Sequence, residues 1–129
     1  LFTSADHDTT AFQQRGVVCL PWSQAHEANN LLPVLHTLAE LGFNEVWVEA
    51  GAQLSSAFLA QNLVDELIVY QAPKILGDSA MGLFQLPADE AVLTQASPWK
   101  TVAVHAMGDD IKWHLRHTNH VGDYGEIRV

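Results

Sequence analysis

A single cysteine, Cys19, rules out an intrachain disulfide and suits a reducing compartment such as the cytoplasm. Fixed positive charge is almost as scarce. Only Arg15, Lys74, Lys100, Lys112, Arg116 and Arg128 stand against 15 carboxylates, which leaves a formal net charge of -9. A chain this acidic is a poor partner for nucleic acid or for an anionic membrane surface. It follows that a phosphate ligand must be held by backbone dipoles, by a lone basic residue or by a group from outside the chain. No apolar run approaches the ~20 residues that span a bilayer. The N-terminus shows neither the basic start nor the apolar centre of a signal peptide. What is present is a globular composition, 48% hydrophobic and 16% charged over 129 residues. That length corresponds to one domain or a piece of one, and it can bury a core without metals or disulfides.

The chain opens on Leu1-Phe2-Thr3-Ser4, which reads as the end of a strand and as the start of an excised piece of a longer protein. Asp8 to Arg15 can form a short helix that Gly16 stops. Val17-Val18-Cys19-Leu20 is an apolar run ended by Pro21 and predicts a buried strand. His26 to Asn30 is polar and loop-like. Asn30 can cap the next helix, and Pro33 falls in its first turn, where a missing N–H is tolerated. Leu31, Val34, Leu35, Leu38 and Leu41 recur at helical spacing, and Gly42 closes the segment.

Val46-Trp47-Val48 predicts a second buried strand. Gly51 then opens a helix with Leu54, Ala57, Phe58 and Gln61 on one face and Asn62 as its C-terminal cap. Leu67-Ile68-Val69-Tyr70 predicts a third buried strand, halted near Pro73. Ile75 to Pro98 is irregular. Thr101 to Met107 and Asp110 to Arg116 form a hairpin across Gly108-Asp109, and 118–129 is a tail. Alternating strands and helices predict an α/β fold in three layers. Its central sheet is mostly parallel, with crossover helices and a C-terminal antiparallel hairpin. Ligands of such sheets bind beyond the carboxyl ends of the strands, where Glu49 and Gly51 fall.

The turn Glu49-Ala50-Gly51-Ala52-Gln53-Leu54-Ser55-Ser56-Ala57 therefore has two readings. It is an ordinary strand-to-helix turn, or it is an anion site. Gly51 lets the backbone approach a ligand, and the first-turn N–H groups are free to hold a phosphate. Ser55 and Ser56 add hydroxyls, and Glu49 at the strand tip suits sugar hydroxyls. No full glycine fingerprint of the dinucleotide kind is present. Asp65 and Glu66 are adjacent on a strand and point to opposite faces, so they mark a solvated strand entrance rather than an acid–base pair. His105, His114, His117 and His120 lack regular ligand spacing, and they read as solvent-facing rather than as a metal site. Trp22, Trp47, Trp99 and Trp113 read as packing residues, and Cys19 as inert.

A longer pattern carries a resemblance. It runs Val48-Glu49-Ala50-Gly51-x-x-Leu54, Ala57-Phe58-Leu59, Leu63-Val64-Asp65-Glu66-Leu67-Ile68-Val69-Tyr70 and Ala72-Pro73-Lys74-Ile75-Leu76-Gly77. Together with Gly108-Asp109-Asp110-Ile111, it resembles the C-terminal reductase domain of the bifunctional riboflavin-biosynthesis deaminase/reductases (RibD). The weaker similarity extends from Leu1 to His117.

The resemblance implies a dihydrofolate-reductase-like fold, truncated at its N-terminus, with 1–117 as the C-terminal portion of the reductase domain. It implies NADPH-dependent reduction of 5-amino-6-(5-phosphoribosylamino)uracil, with hydride reaching the ribose C1 and opening the sugar to a ribityl chain. By position it makes Glu49 a substrate contact, and Gly51, Ala52, Gln53, Leu54, Ser55, Ser56 and Ala57 cofactor contacts. Many relatives carry proline where Ala52 stands, which changes turn rigidity. It further implies a homodimer and an upstream deaminase domain. No residue is assigned as the catalytic acid, and no metal site is expected. The alternatives are a non-catalytic dimerisation piece, or a stand-alone reductase of the same fold with another substrate.

Overall fold

The computed structural model describes residues 2–3, 6–21, 30–86 and 98–118. The predicted loop over 26–29, Trp22, His120 and all but the first residue of the predicted tail lie outside them. Its helices end by one shared device, a residue with positive φ that lets the chain turn back on its last turn. Helix α1 (Thr10–Gln13) is followed by Gly16 at φ 79°, and the N–H groups of Gly16 and Val17 return to Gln13 O and Phe12 O. Helix α2 (Leu32–Glu40) is followed by Gly42 at φ 90°, with Gly42 and Phe43 bonding back to Ala39 O and Leu38 O. Helix α3 (Ala52–Ala60) is followed by Asn62 at φ 53°, with Asn62 and Leu63 bonding to Leu59 O and Phe58 O. Glycine and asparagine tolerate this left-handed geometry best, so all three stops were predictable. Asn30 also caps as expected, its Oδ1 accepting the Leu32 N–H at 3.2 Å.

The chain divides into two compact units, Leu1–Glu49 and Ala50–Val129. In the first, strand β1 (Phe2–Thr3) pairs in parallel with β2 (Leu20–Pro21), and α1 lies between them in sequence. Leu31 is the deeply buried apolar residue of this unit. The strand expected over Val17–Leu20 is displaced, because the Val17 N–H is already committed to closing α1. Pairing starts only at Leu20. The strand expected over Val46-Trp47-Val48 joins neither sheet among the described residues, and all three side chains are exposed, Trp47 at 75%. An apolar run marks a segment that suits a sheet interior, but a strand exists only where a neighbouring backbone answers its N–H and C=O groups.

In the second unit, strands β3 (Glu66–Gln71), β4 (Trp99–Met107) and β5 (Asp110–His117) form an antiparallel sheet in the order β3-β5-β4. Gly108 at φ 64° and Asp109 make the two-residue turn of the β4–β5 hairpin, the arrangement whose twist suits paired strands. The chain is thus α/β with its C-terminal hairpin, as expected. Its described pairing, however, is not mostly parallel, because β5 returns between β4 and β3 and takes both as antiparallel neighbours. A bulge at Val102 slips the register, so that Thr101 faces Leu115 but Ala103 faces His114. Phe58 on α3 is the deeply buried apolar side chain of this unit.

Candidate functional site

Helix α3 begins without a side-chain cap. Gly51 is the N-cap residue, with φ -70° and ψ 169°, and it has no side chain to offer. The first α-helical bond runs from Ser55 N–H to Gly51 O at 3.1 Å. The N–H groups of Ala52, Gln53 and Leu54 precede that bond and have no helical acceptor, as at any helix start. They carry the positive end of the helix dipole. The residues that carry them line, with Gly51, Met81 and Gln85, an open depression of about 390 Å³. A Cβ built on Gly51 would meet nothing within 4 Å, so the approach is clear from that side. No Lys or Arg lines the depression. Main-chain amides at a helix start suit an anion in a chain with few cations.

The predicted residues do not all face this space. Gly51 to Leu54 line it together. The Ser55 hydroxyl donates back to Ala50 O at 3.2 Å. The Ser56 hydroxyl points inward, donates to Ala52 O at 2.6 Å and accepts the Gln85 N–H at 2.6 Å. Ala57 is half-buried in the next turn of the helix. Glu49 is exposed and ends the first unit. Met81 and Gln85 were missed by sequence reasoning. They fall in the irregular stretch after Ile75, and nothing local links that stretch to α3.

The β3–β5 pair carries a second cluster. Glu66 lies directly across from Arg116 and diagonally from His114. Its carboxylate accepts from Arg116 Nη2 at 2.7 Å and from Arg116 Nε at 3.1 Å, and it meets His114 Nε2 at 2.9 Å. Partial burial pushes the Glu66 carboxyl up, but hydrogen bonds from Arg116 and His114 outweigh it and hold the group below its ordinary value. A depressed carboxylate adds stability that is fully present above the unfolded value of 4.5, and that is lost as pH falls through the lower folded value. Glu66→Gln should therefore cost about 0.5–1 kcal/mol at neutral pH, the range for a solvent-screened pair. It should cost almost nothing once the wild-type carboxylate is protonated. Urea denaturation of both proteins across the acid range checks this, and an equal cost at every pH contradicts it.

His117 is not solvent-facing as its strand position suggested. It is 3% exposed and packs edge-on against Trp99 at 5.0 Å between ring centres, and its backbone N–H donates to Asp65 O at 2.9 Å. Trp99 and His117 are register partners, so the hairpin itself brings the indole over the imidazole. His114 is also mostly covered, its side chain 15% exposed, while His105 is exposed as expected. Among the described residues, no group of three His, Cys, Asp or Glu side chains could hold a metal ion.

Comparison with known proteins gives the chain's relatives. The family described as RibD C-terminal domain matches residues 1–113. The riboflavin biosynthesis protein RibD of Haemophilus influenzae is 46% identical over 84 residues, 65% of this chain and 22% of that protein. The Escherichia coli protein of the same name is 43% identical over 86 residues, 67% of this chain and 23% of its own length. A Buchnera aphidicola protein named 5-amino-6-(5-phosphoribosylamino)uracil reductase is 36% identical over 83 residues, 64% of this chain and 40% of that protein. Among solved structures, Acinetobacter baumannii RibD superposes with a TM-score of 0.75 at 31% identity, over 91% of this chain and 31% of that one. The chain thus spans well under half the length of each of these relatives.

Proposed function

The chain belongs to the RibD C-terminal domain family, and from that premise we propose that it forms part of an NADPH-dependent 5-amino-6-(5-phosphoribosylamino)uracil reductase of riboflavin biosynthesis. The observation that carries this reading is the uncapped start of α3, whose first-turn residues line an open depression. The donor set fits a dinucleotide phosphate. Gly51 leaves room for close approach, Ala52 to Leu54 supply donors, and the dipole supplies the positive potential that this acidic chain lacks in side chains. Ser55, Ser56 and Ala57 complete the cofactor segment by building the turn that aims those donors. Glu49 is the substrate contact in this proposal, a carboxylate that can accept from sugar hydroxyls. NADPH, when bound, supplies the hydride that reduces the ribosyl C1.

The reading includes an upstream deaminase domain and a cytoplasmic setting, which a chain with one cysteine suits. No helix among the described residues is long and apolar enough to cross a membrane. A homodimer is also part of the proposal. It is supported by β4, an edge strand that exposes Val102 at 50% and Val104 at 49%. The same edge supports the second reading, a dimerisation piece without catalysis of its own.

NADPH titration of the complete gene product and of the 129-residue chain, side by side, separates these readings. The complete product should bind NADPH and reduce the pyrimidine. The 129-residue chain should turn over no substrate, because hydride transfer needs both ligands held in one geometry. Failure of the complete product to bind NADPH rejects the function. Turnover by the chain alone rejects the claim that it holds only part of the site.

A further inference from the structure

We propose that Ser56 is a positioning residue, whose hydroxyl fastens the segment Met81–Gln85 beside the start of α3 and so makes that segment the second wall of the dinucleotide site. The inference rests on the cofactor reading given above, and it adds residues that the resemblance does not supply. Ser56 is 4% exposed, and its hydroxyl is engaged twice. It accepts the Gln85 N–H and donates to Ala52 O, both at 2.6 Å. The two bonds run in series, so each polarises the other. Gln85 is 29 residues further along the chain, yet its amide is fixed to the second turn of the helix whose first turn lines the depression.

A turn leads into the segment. Ala80 N–H bonds to Gly77 O at 3.0 Å, and a Cβ on Gly82 would come 3.2 Å from Phe84 O. The bond from Gln85 N–H to the Ser56 hydroxyl ties this segment to α3. With that anchor, Met81 and Gln85 stand across the depression from Gly51 to Leu54. Without it, the depression keeps only its helix side.

The test uses the complete gene product and NADPH as the probe. Hydrogen exchange should show slower exchange on NADPH binding both in 51–57 and in 81–85. In Ser56→Ala, the second protection should vanish while the first remains. KM for NADPH should rise by about tenfold, the scale set by one unsatisfied buried donor, with kcat at saturating NADPH unchanged. A role confined to helix stability would not produce that split. Gln85→Pro removes the donor from the other side of the same bond. It should reproduce the rise, and the double variant should be no worse than either single one, as for two members of one interaction. An unchanged KM for NADPH in both single variants overturns the proposal, as does unaltered protection of 81–85 in Ser56→Ala. Wild-type protein that fails to bind NADPH, or that binds it without protecting 51–57, overturns the cofactor reading itself.

Discussion

Replacing Gly51 with aspartate should stabilise the complete gene product and at the same time remove its NADPH binding. The two effects have one cause with opposite consequences. Gly51 is the N-cap of α3, its backbone is extended at φ -70°, and its cap position holds no side-chain acceptor. An aspartate there can accept from the N–H groups of Gln53 or Leu54 and place a negative charge at the positive end of the dipole. Relative to glycine, such a cap contributes only about a few tenths of a kcal/mol, and the charge at the dipole about 0.3–1 kcal/mol more. The new side chain needs no rearrangement, since a Cβ at this position meets nothing within 4 Å. Yet the carboxylate occupies the donors a phosphate would use and repels the phosphate as well. NADPH affinity should fall by about 100-fold or more, near 3 kcal/mol. Gly51→Asn separates the two contributions. It caps without charge, so it should stabilise less than aspartate does and weaken NADPH by only about tenfold. Thermal melts alongside fluorescence titration with NADPH read both quantities. An aspartate variant that binds NADPH within about threefold of wild type removes the α3 start from the cofactor site.

Glu49→Ala should divide binding from turnover in the other direction. Glu49 is exposed and ends the first unit, whereas the amides proposed for the cofactor belong to the second. If Glu49 accepts hydrogen bonds from the substrate sugar, its loss strands polar groups of the substrate rather than of NADPH. A charge-assisted pair of such bonds corresponds to about 3 kcal/mol, so kcat/KM for the pyrimidine should drop by about 100-fold. The dissociation constant for NADPH should move by less than about threefold. Glu49→Gln, which keeps the shape and one acceptor oxygen, should fall between wild type and alanine. Steady-state kinetics with the pyrimidine varied at saturating NADPH provide the measurement. An unchanged reductase rate in Glu49→Ala takes Glu49 out of the site.

The features legible in the sequence are those that a few contiguous residues control. Gly16, Gly42 and Asn62 stop three helices because a left-handed residue and two backbone bonds suffice. Gly108-Asp109 makes the hairpin turn for a related reason, since φ and twist are local properties. The opening of α3 at Gly51 was readable in the same way, and so was the potential of its first-turn amides. The tertiary structure alone decided which backbones meet. It set β5 between β3 and β4, slipped the register at Val102 and left Val46-Trp47-Val48 without a partner among the described residues. It covered His117 with Trp99. It also paired the Ser56 hydroxyl with the Gln85 N–H, 29 residues further along the chain. Hydrophobic pattern and residue type record how each segment prefers to be placed. Strand partners and buried hydroxyl partners lie tens of residues away, and only the folded chain brings them within hydrogen-bonding distance.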